Sequence, residues 1–120
     1  MAGALGDRAL FIKTDISREE EVISAIGKVQ AVFGDIDVLV NNAAIQYYAS
    51  VTESTVEEWD KTMAINVRGG FLCSKYAIPS MQRRGSGVII NMSSVQAFVS
   101  QHQEASYVAS KSAQLGLTRS

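Results

Sequence analysis

The sequence predicts an α/β chain organised on a parallel sheet, and three observations carry that expectation. Short apolar runs alternate with stretches whose apolar residues recur every three or four positions, the patterns of strands and amphipathic helices. Two of the helical stretches open on Ser/Thr-x-x-Glu, the signature of a capping box. The repeated order strand, helix, strand, helix, strand, helix calls for helices packed on a sheet of parallel strands.

Residues 1–7 are small and glycine-containing and read as the tail of a preceding element. Residues 9–13 (A-L-F-I-K) form a short apolar strand, followed by Thr14-Asp15-Ile16. Ser17 with Glu20 makes the first capping box, and Ile23, Ile26, Val29 and Val32 or Phe33 give the helix an apolar stripe. Gly34 ends that helix, and residues 36–40 are a buried strand closed by Asn41 and Asn42. Thr55 with Glu58 opens a long helical region over 56–84, which Gly69-Gly70 and Pro79 should each break or bend. Gly85-Ser86-Gly87 closes it, residues 88–91 form the next strand, and a last helix begins near Ala105. Trp59 and Cys73 take apolar helix positions and read as core.

Composition narrows the function classes. With 47% hydrophobic residues, 19% charged and one proline in 120 residues, the chain reads as one globular domain at most. A net charge of −1 argues against nucleic acid or an anionic membrane as partner. No apolar run approaches the 18 or so residues that span a bilayer, and no signal peptide is visible. The single Cys73 fits a reducing cytoplasm, and no His, Cys and carboxylate cluster has metal-ligand spacing.

The chemistry concentrates between Val88 and Lys111. Tyr107 and Lys111 are four apart, which on a helix places them on one face, one turn from each other. At roughly 4 Å and an effective dielectric near 20, an ammonium favours phenolate over phenol by about 4 kcal/mol. That makes a tyrosine a usable acid or base near neutral pH. Ser94, thirteen residues before Tyr107 and just past a strand end, offers a hydroxyl to the same region; Ser93 is its neighbour and competitor. Upstream, V-L-V-N-N-A-A places Asn41 and Asn42 after a strand, and M-A-I-N-V-R-G-G places Asn66 in a helix.

These features, in this order, resemble the short-chain dehydrogenase/reductase family from Leu10 to Ser120. The resemblance implies an NAD(P)-binding, Rossmann-like, doubly wound parallel sheet with helices on both faces, here incomplete across residues 1–120. It implies hydride transfer between NAD or NADP and an alcohol, ketone or sugar-like small molecule. In that scheme Tyr107 is the acid/base, Lys111 also holds the nicotinamide ribose, and Ser94 steadies the reacting oxygen. Asn66 sits at a helix kink and holds a water that passes protons to the lysine. Asp15 with Ile16 meets the adenine end of the cofactor. Asn42, Ala43 and Ala44 shape the loop beside it, Ala44 standing where the family has glycine. Gln96 and His102 border a substrate pocket that favours hydroxylated substrates. The family also implies a homo-dimer or homo-tetramer through the helix from Val67 to Arg84 and the Tyr107 helix.

Plainer readings stand beside these. Tyr107 and Lys111 read also as an exposed helical pair, Asn66 as a mid-helix asparagine bonding back to a carbonyl, and Asp15 as a turn residue. Asn41 and Asn42 read as strand caps, and Gln96 and His102 as solvated loop. The nine glycines form no G-x-G-x-x-G, so the turn that holds a pyrophosphate is missing. The resemblance therefore starts at the family's third strand and stops inside the Tyr/Lys helix, the span of a middle segment. NAD and NADP are not distinguished. A serine hydrolase lacks its G-x-S-x-G elbow, and a P-loop enzyme lacks G-x-x-x-x-G-K. The remaining rival is an inactive fragment that serves only as an assembly module.

Overall fold

The structure, a computed structural model, describes residues 6–120. Most of the expectation for residues 1–7 thus lies outside the described residues, and residues 6–8 form one turn. Four helices and two strands follow in order: α1 Glu19–Phe33, β1 Val38–Asn41, α2 Val56–Met63, α3 Gly70–Arg84, β2 Val88–Asn91 and α4 Ala105–Arg119. A π-helical turn, Ala64–Gly69, joins α2 to α3, and a 3₁₀ turn, Val95–Ala97, precedes α4.

β1 and β2 pair in parallel, Val38 opposite Val88 through Asn41 opposite Asn91. Asn41 locks the pair to the helix above. Its Nδ2 donates to Asn91 Oδ1 at 2.8 Å, Ser74 Oγ at 3.1 Å and the Gly70 carbonyl at 3.4 Å. At the other end Ser80 Oγ accepts the Ile36 N–H at 2.7 Å and donates to Asp35, which also takes Arg83. α1 packs on α3, α4 packs on α2 and the π turn, and α3 and α4 both meet the sheet. The core is small: Val22, Leu72, Ala77 and Met81. The opposite sheet face, Val38, Val40, Val88 and Ile90, is bare, each residue 44–53% exposed.

Several elements differ from expectation. Residues 9–13 form no strand, because among the described residues no second strand lies beside them to complete a ladder of backbone hydrogen bonds. The Ser17–Glu20 capping box does not form. Ser17 instead donates through both N–H and Oγ to Asp15 Oδ1, Glu20 takes Arg18, and α1 starts on Arg18 with no side-chain cap. The Thr55–Glu58 box is complete. α3 runs through Pro79 unbroken; the N–H that proline lacks would have met exposed Lys75, whose carbonyl water can satisfy. Trp59 is 40% exposed rather than core, as are Ile23, Val32 and Phe33 on the α1 stripe to a similar or greater degree.

At Gly69 the π turn closely approaches the segment before α1. A Cβ there would stand 2.5 Å from Ile16 Cδ1 and 2.8 Å from Ile16 Cγ1. Gly69→Ala is expected to cost about 1–3 kcal/mol through overpacking. Adding Ile16→Ala should return part of that loss. Denaturant melts of the single and double variants check both, and equal losses would remove this contact from the account.

Candidate active site

Past β2 the chain is stapled to α4. Ser93 Oγ donates to the Lys111 carbonyl at 2.9 Å, and Lys111 Nζ donates back to the Met92 carbonyl at 2.6 Å. Lys111 is 3% exposed, and its ammonium lies 5.5 Å from the centre of the Tyr107 ring. The four-residue spacing has thus produced a cation beside a phenol, within reach of a cation–π contact. Burial pushes the Lys111 ammonium below the usual lysine value. Of its three N–H donors, one is used among the described residues. The Tyr107 hydroxyl has no hydrogen-bond partner among them, and Tyr107 is half-buried. Ser94 caps the 3₁₀ turn, its Oγ accepting the Gln96 N–H at 3.2 Å, which leaves the hydroxyl proton to donate.

Asn66 is 1% exposed and fully engaged. Its Oδ1 accepts the Ile45 N–H and its Nδ2 donates to the Ile45 carbonyl, both at 2.8 Å. Nδ2 also reaches Ser110 Oγ on α4 at 3.0 Å, and the Asn66 carbonyl accepts from Gln114 Nε2 at 2.6 Å. One residue of the π turn therefore holds both the loop after β1 and the helix that bears Tyr107. Asn42, Ala43 and Ala44 lie on that loop, exposed, outside the carboxyl end of β1, where ligands of open α/β sheets bind.

Asp15 and Ile16 reach the same end of the molecule, Ile16 through its contact with Gly69. The Ser17 hydroxyl and N–H, and more weakly Arg18 and Arg68, hold the Asp15 carboxyl below the usual carboxylate range. The side chains of Gln96 and His102 are not bonded to the reacting groups. Gln96 Nε2 donates to Gln101 at 2.9 Å. His102 is exposed and faces Glu53, whose carboxyl is held low mainly by Ser50 and to a smaller extent by His102.

Among the buried polar residues that escaped the sequence reading, Glu104 and Gln114 are the two largest. Glu104, the residue before α4, is 2% exposed; Oε1 accepts from Gln46 Nε2 at 2.7 Å and Oε2 has no partner among the described residues. Gln114 is 4% exposed. Ser106, Ser110 and Gln114 recur every four residues, and that spacing was the available signal for a polar inner face on α4. Among the described residues no group of three or more His, Cys, Asp or Glu is placed to hold a metal, and no helix is long and apolar enough to cross a membrane.

A family model described as short chain dehydrogenase matches residues 1–120. The chain belongs to the short-chain dehydrogenase family. An uncharacterized oxidoreductase of Thermotoga maritima is 44% identical over 117 residues, which are 98% of this chain and 46% of that protein. A 2-(R)-hydroxypropyl-CoM dehydrogenase of Xanthobacter autotrophicus is 43% identical over 120 residues, 98% of this chain and 48% of its own length. A cis-4-hydroxycyclohexanecarboxylate dehydrogenase of Sinomonas cyclohexanicum is 40% identical over 116 residues, 96% of this chain and 47% of that relative. The chain thus spans about half the length of these curated short-chain dehydrogenase relatives.

Lys111 also sets a pH dependence of stability. A lysine whose value falls on folding binds fewer protons folded than unfolded between its folded value and the ordinary 10.5. The protein should therefore gain stability as pH rises through that window. Lys111→Met removes a buried charge of similar shape and is expected to raise the melting temperature and flatten this dependence. Thermal melts from pH 7 to about 10.5, the ordinary lysine value, check it; a lower melting temperature for the variant across that range would contradict it.

Proposed function

We propose that this chain carries the reacting residues of an NAD(P)(H)-dependent oxidoreductase that interconverts an alcohol and a ketone. The observation that carries this reading is the buried Lys111 ammonium, pinned by the Met92 carbonyl 5.5 Å from the Tyr107 ring. With its hydroxyl free of partners among the described residues, Tyr107 takes the substrate hydroxyl proton in oxidation and returns it in reduction, and Lys111 is the cation beside it. Ser94 donates its free hydroxyl proton to the reacting oxygen and steadies charge on it.

A bound nicotinamide would supply the acceptor or donor of the hydride. The donor set fits the cofactor's two ends. The unspent N–H donors of Lys111 suit the hydroxyls of the nicotinamide ribose, with Tyr107 beside them. Asp15 and Ile16 suit the adenine end, and Asn42, Ala43 and Ala44 border the path between. The nine glycines supply no pyrophosphate turn, so nothing is assigned to the phosphates. NAD and NADP remain equivalent in this reading. The substrate class is a small alcohol, ketone or sugar-like molecule met on the Gln96 and His102 side, in a cytoplasmic setting.

A second copy of the chain is the partner this reading favours. Asp60, Met63, Val67, Arg68, Phe71 and Leu117 line an open groove between α2, the π turn, α3 and α4, and Phe71 is 47% exposed in it. That groove runs along the helices from which the family resemblance implies a homo-dimer or homo-tetramer.

In the full-length protein Tyr107→Phe is expected to lower turnover by about a hundredfold or more, the scale of general acid–base catalysis. Binding of NADH or NADPH should be little changed. Steady-state rates on small secondary alcohols and ketones, with a parallel cofactor titration, check this. Retained turnover would take Tyr107 out of the mechanism.

A further inference from the structure

We infer that Gln114 is a positioning residue for this site: its amide closes the backbone carbonyl that the π turn frees at Asn66, and so keeps the Asn66 side chain on the Ile45 backbone. In an unbroken α-helix the Gly70 N–H would meet the Asn66 carbonyl four residues back. Here Gly70 donates to Val67 instead. Gln114 Nε2 crosses from α4 and donates to the freed Asn66 carbonyl at 2.6 Å. One turn earlier on the same face of α4, Ser110 Oγ accepts from Asn66 Nδ2 at 3.0 Å. α4 therefore grips Asn66 by backbone and side chain together, and Asn66 in turn grips Ile45 by two bonds at 2.8 Å.

Burying an amide is costly unless its polar atoms are met. Gln114 Oε1 has no donor among the described residues, beside a small cavity also lined by Asn66, Asn41 and Asn42, with room for water. An apolar side chain would fill this place without that cost. What the glutamine adds is the bond to Asn66. With the carbonyl left open, the turn can return to α-helical register. Each residue of register turns a side chain by about 100°, enough to swing Asn66 off Ile45. The loop carrying Asn42, Ala43 and Ala44 then loses its anchor beside Tyr107 and Lys111.

The test compares full-length wild type, Gln114→Met and Gln114→Glu. Amide hydrogen exchange at Ile45, whose N–H is held by Asn66 Oδ1, is expected to quicken about tenfold or more in Gln114→Met, the scale of one buried hydrogen bond. Exchange in β2 should be unchanged. Turnover should fall about tenfold and cofactor affinity should weaken with it, because the loop beside the cofactor has lost its anchor. Quickened exchange at Ile45 with β2 unchanged is a pattern that general destabilisation would not produce. In Gln114→Glu the introduced carboxylate has no proton to donate at neutral pH, so the ratio of its turnover to that of wild type should rise as pH falls. Unchanged Ile45 exchange in folded Gln114→Met overturns the inference. Should that variant not fold, Ile45 exchange in Gln114→Glu across pH decides in its place. The turnover arm rests on the oxidoreductase reading. Absence of turnover in wild type would sink that reading and leave the exchange result to judge Gln114.

Discussion

Asn66 makes four hydrogen bonds while being almost wholly shut from water, and the rest of the site depends on them. Two go to Ile45 on the loop after β1, two to Ser110 and Gln114 on α4. A buried polar group left without its partner costs about 1–3 kcal/mol, so this seam is either complete or a liability. Completeness needs the π turn. The widened turn takes Gly70 off the Asn66 carbonyl and leaves it open to Gln114. The helical irregularity and the polar inner face of α4 are thus two sides of one device. It fixes the loop carrying Asn42, Ala43 and Ala44 relative to the helix carrying Tyr107 and Lys111.

Lys111 shows the same trade between stability and preorganisation. Its ammonium is buried with one carbonyl for company and pays for that in a lowered proton affinity. The arrangement makes little sense as structure alone, since an apolar residue would pack there more cheaply. As a cation held beside a phenol, with donors to spare for a sugar hydroxyl, it has a use. Such local costs collect at functional sites and are offset elsewhere. Here the offset comes from Asn41, Ser80 and the small core under α3, while the bare sheet face of Val38, Val40, Val88 and Ile90 contributes nothing to the described chain.

Much of this was legible in the sequence because the signals are local. Both paired strands, the Thr55–Glu58 cap, the glycine at the end of α3 and the Tyr107–Lys111 spacing depend on neighbours within a few residues. The order of motifs also led to the short-chain dehydrogenase family, to which the chain belongs. What was not legible depends on partners distant in sequence. Residues 9–13 have strand composition, yet a strand exists only where another backbone meets it. Ser17 was drawn to Asp15 and away from the helix end. Trp59 and the α1 stripe follow a helical period, but period says which face is apolar and not whether anything covers it. Gln114 and Glu104 were missed because polar residues on a helix or loop are read as solvated by default.

The account turns on whether Lys111 and Tyr107 receive a nicotinamide ribose. The most direct measurement is a fluorescence titration of the full-length protein with NADH and NADPH, Trp59 as donor and bound nicotinamide as acceptor, run on wild type and Lys111→Met side by side. Saturable binding by wild type that weakens about tenfold or more in the variant, the loss expected for a charged hydrogen-bond donor, is the predicted result. Equal binding by both would place the cofactor away from Lys111 and contradict the account.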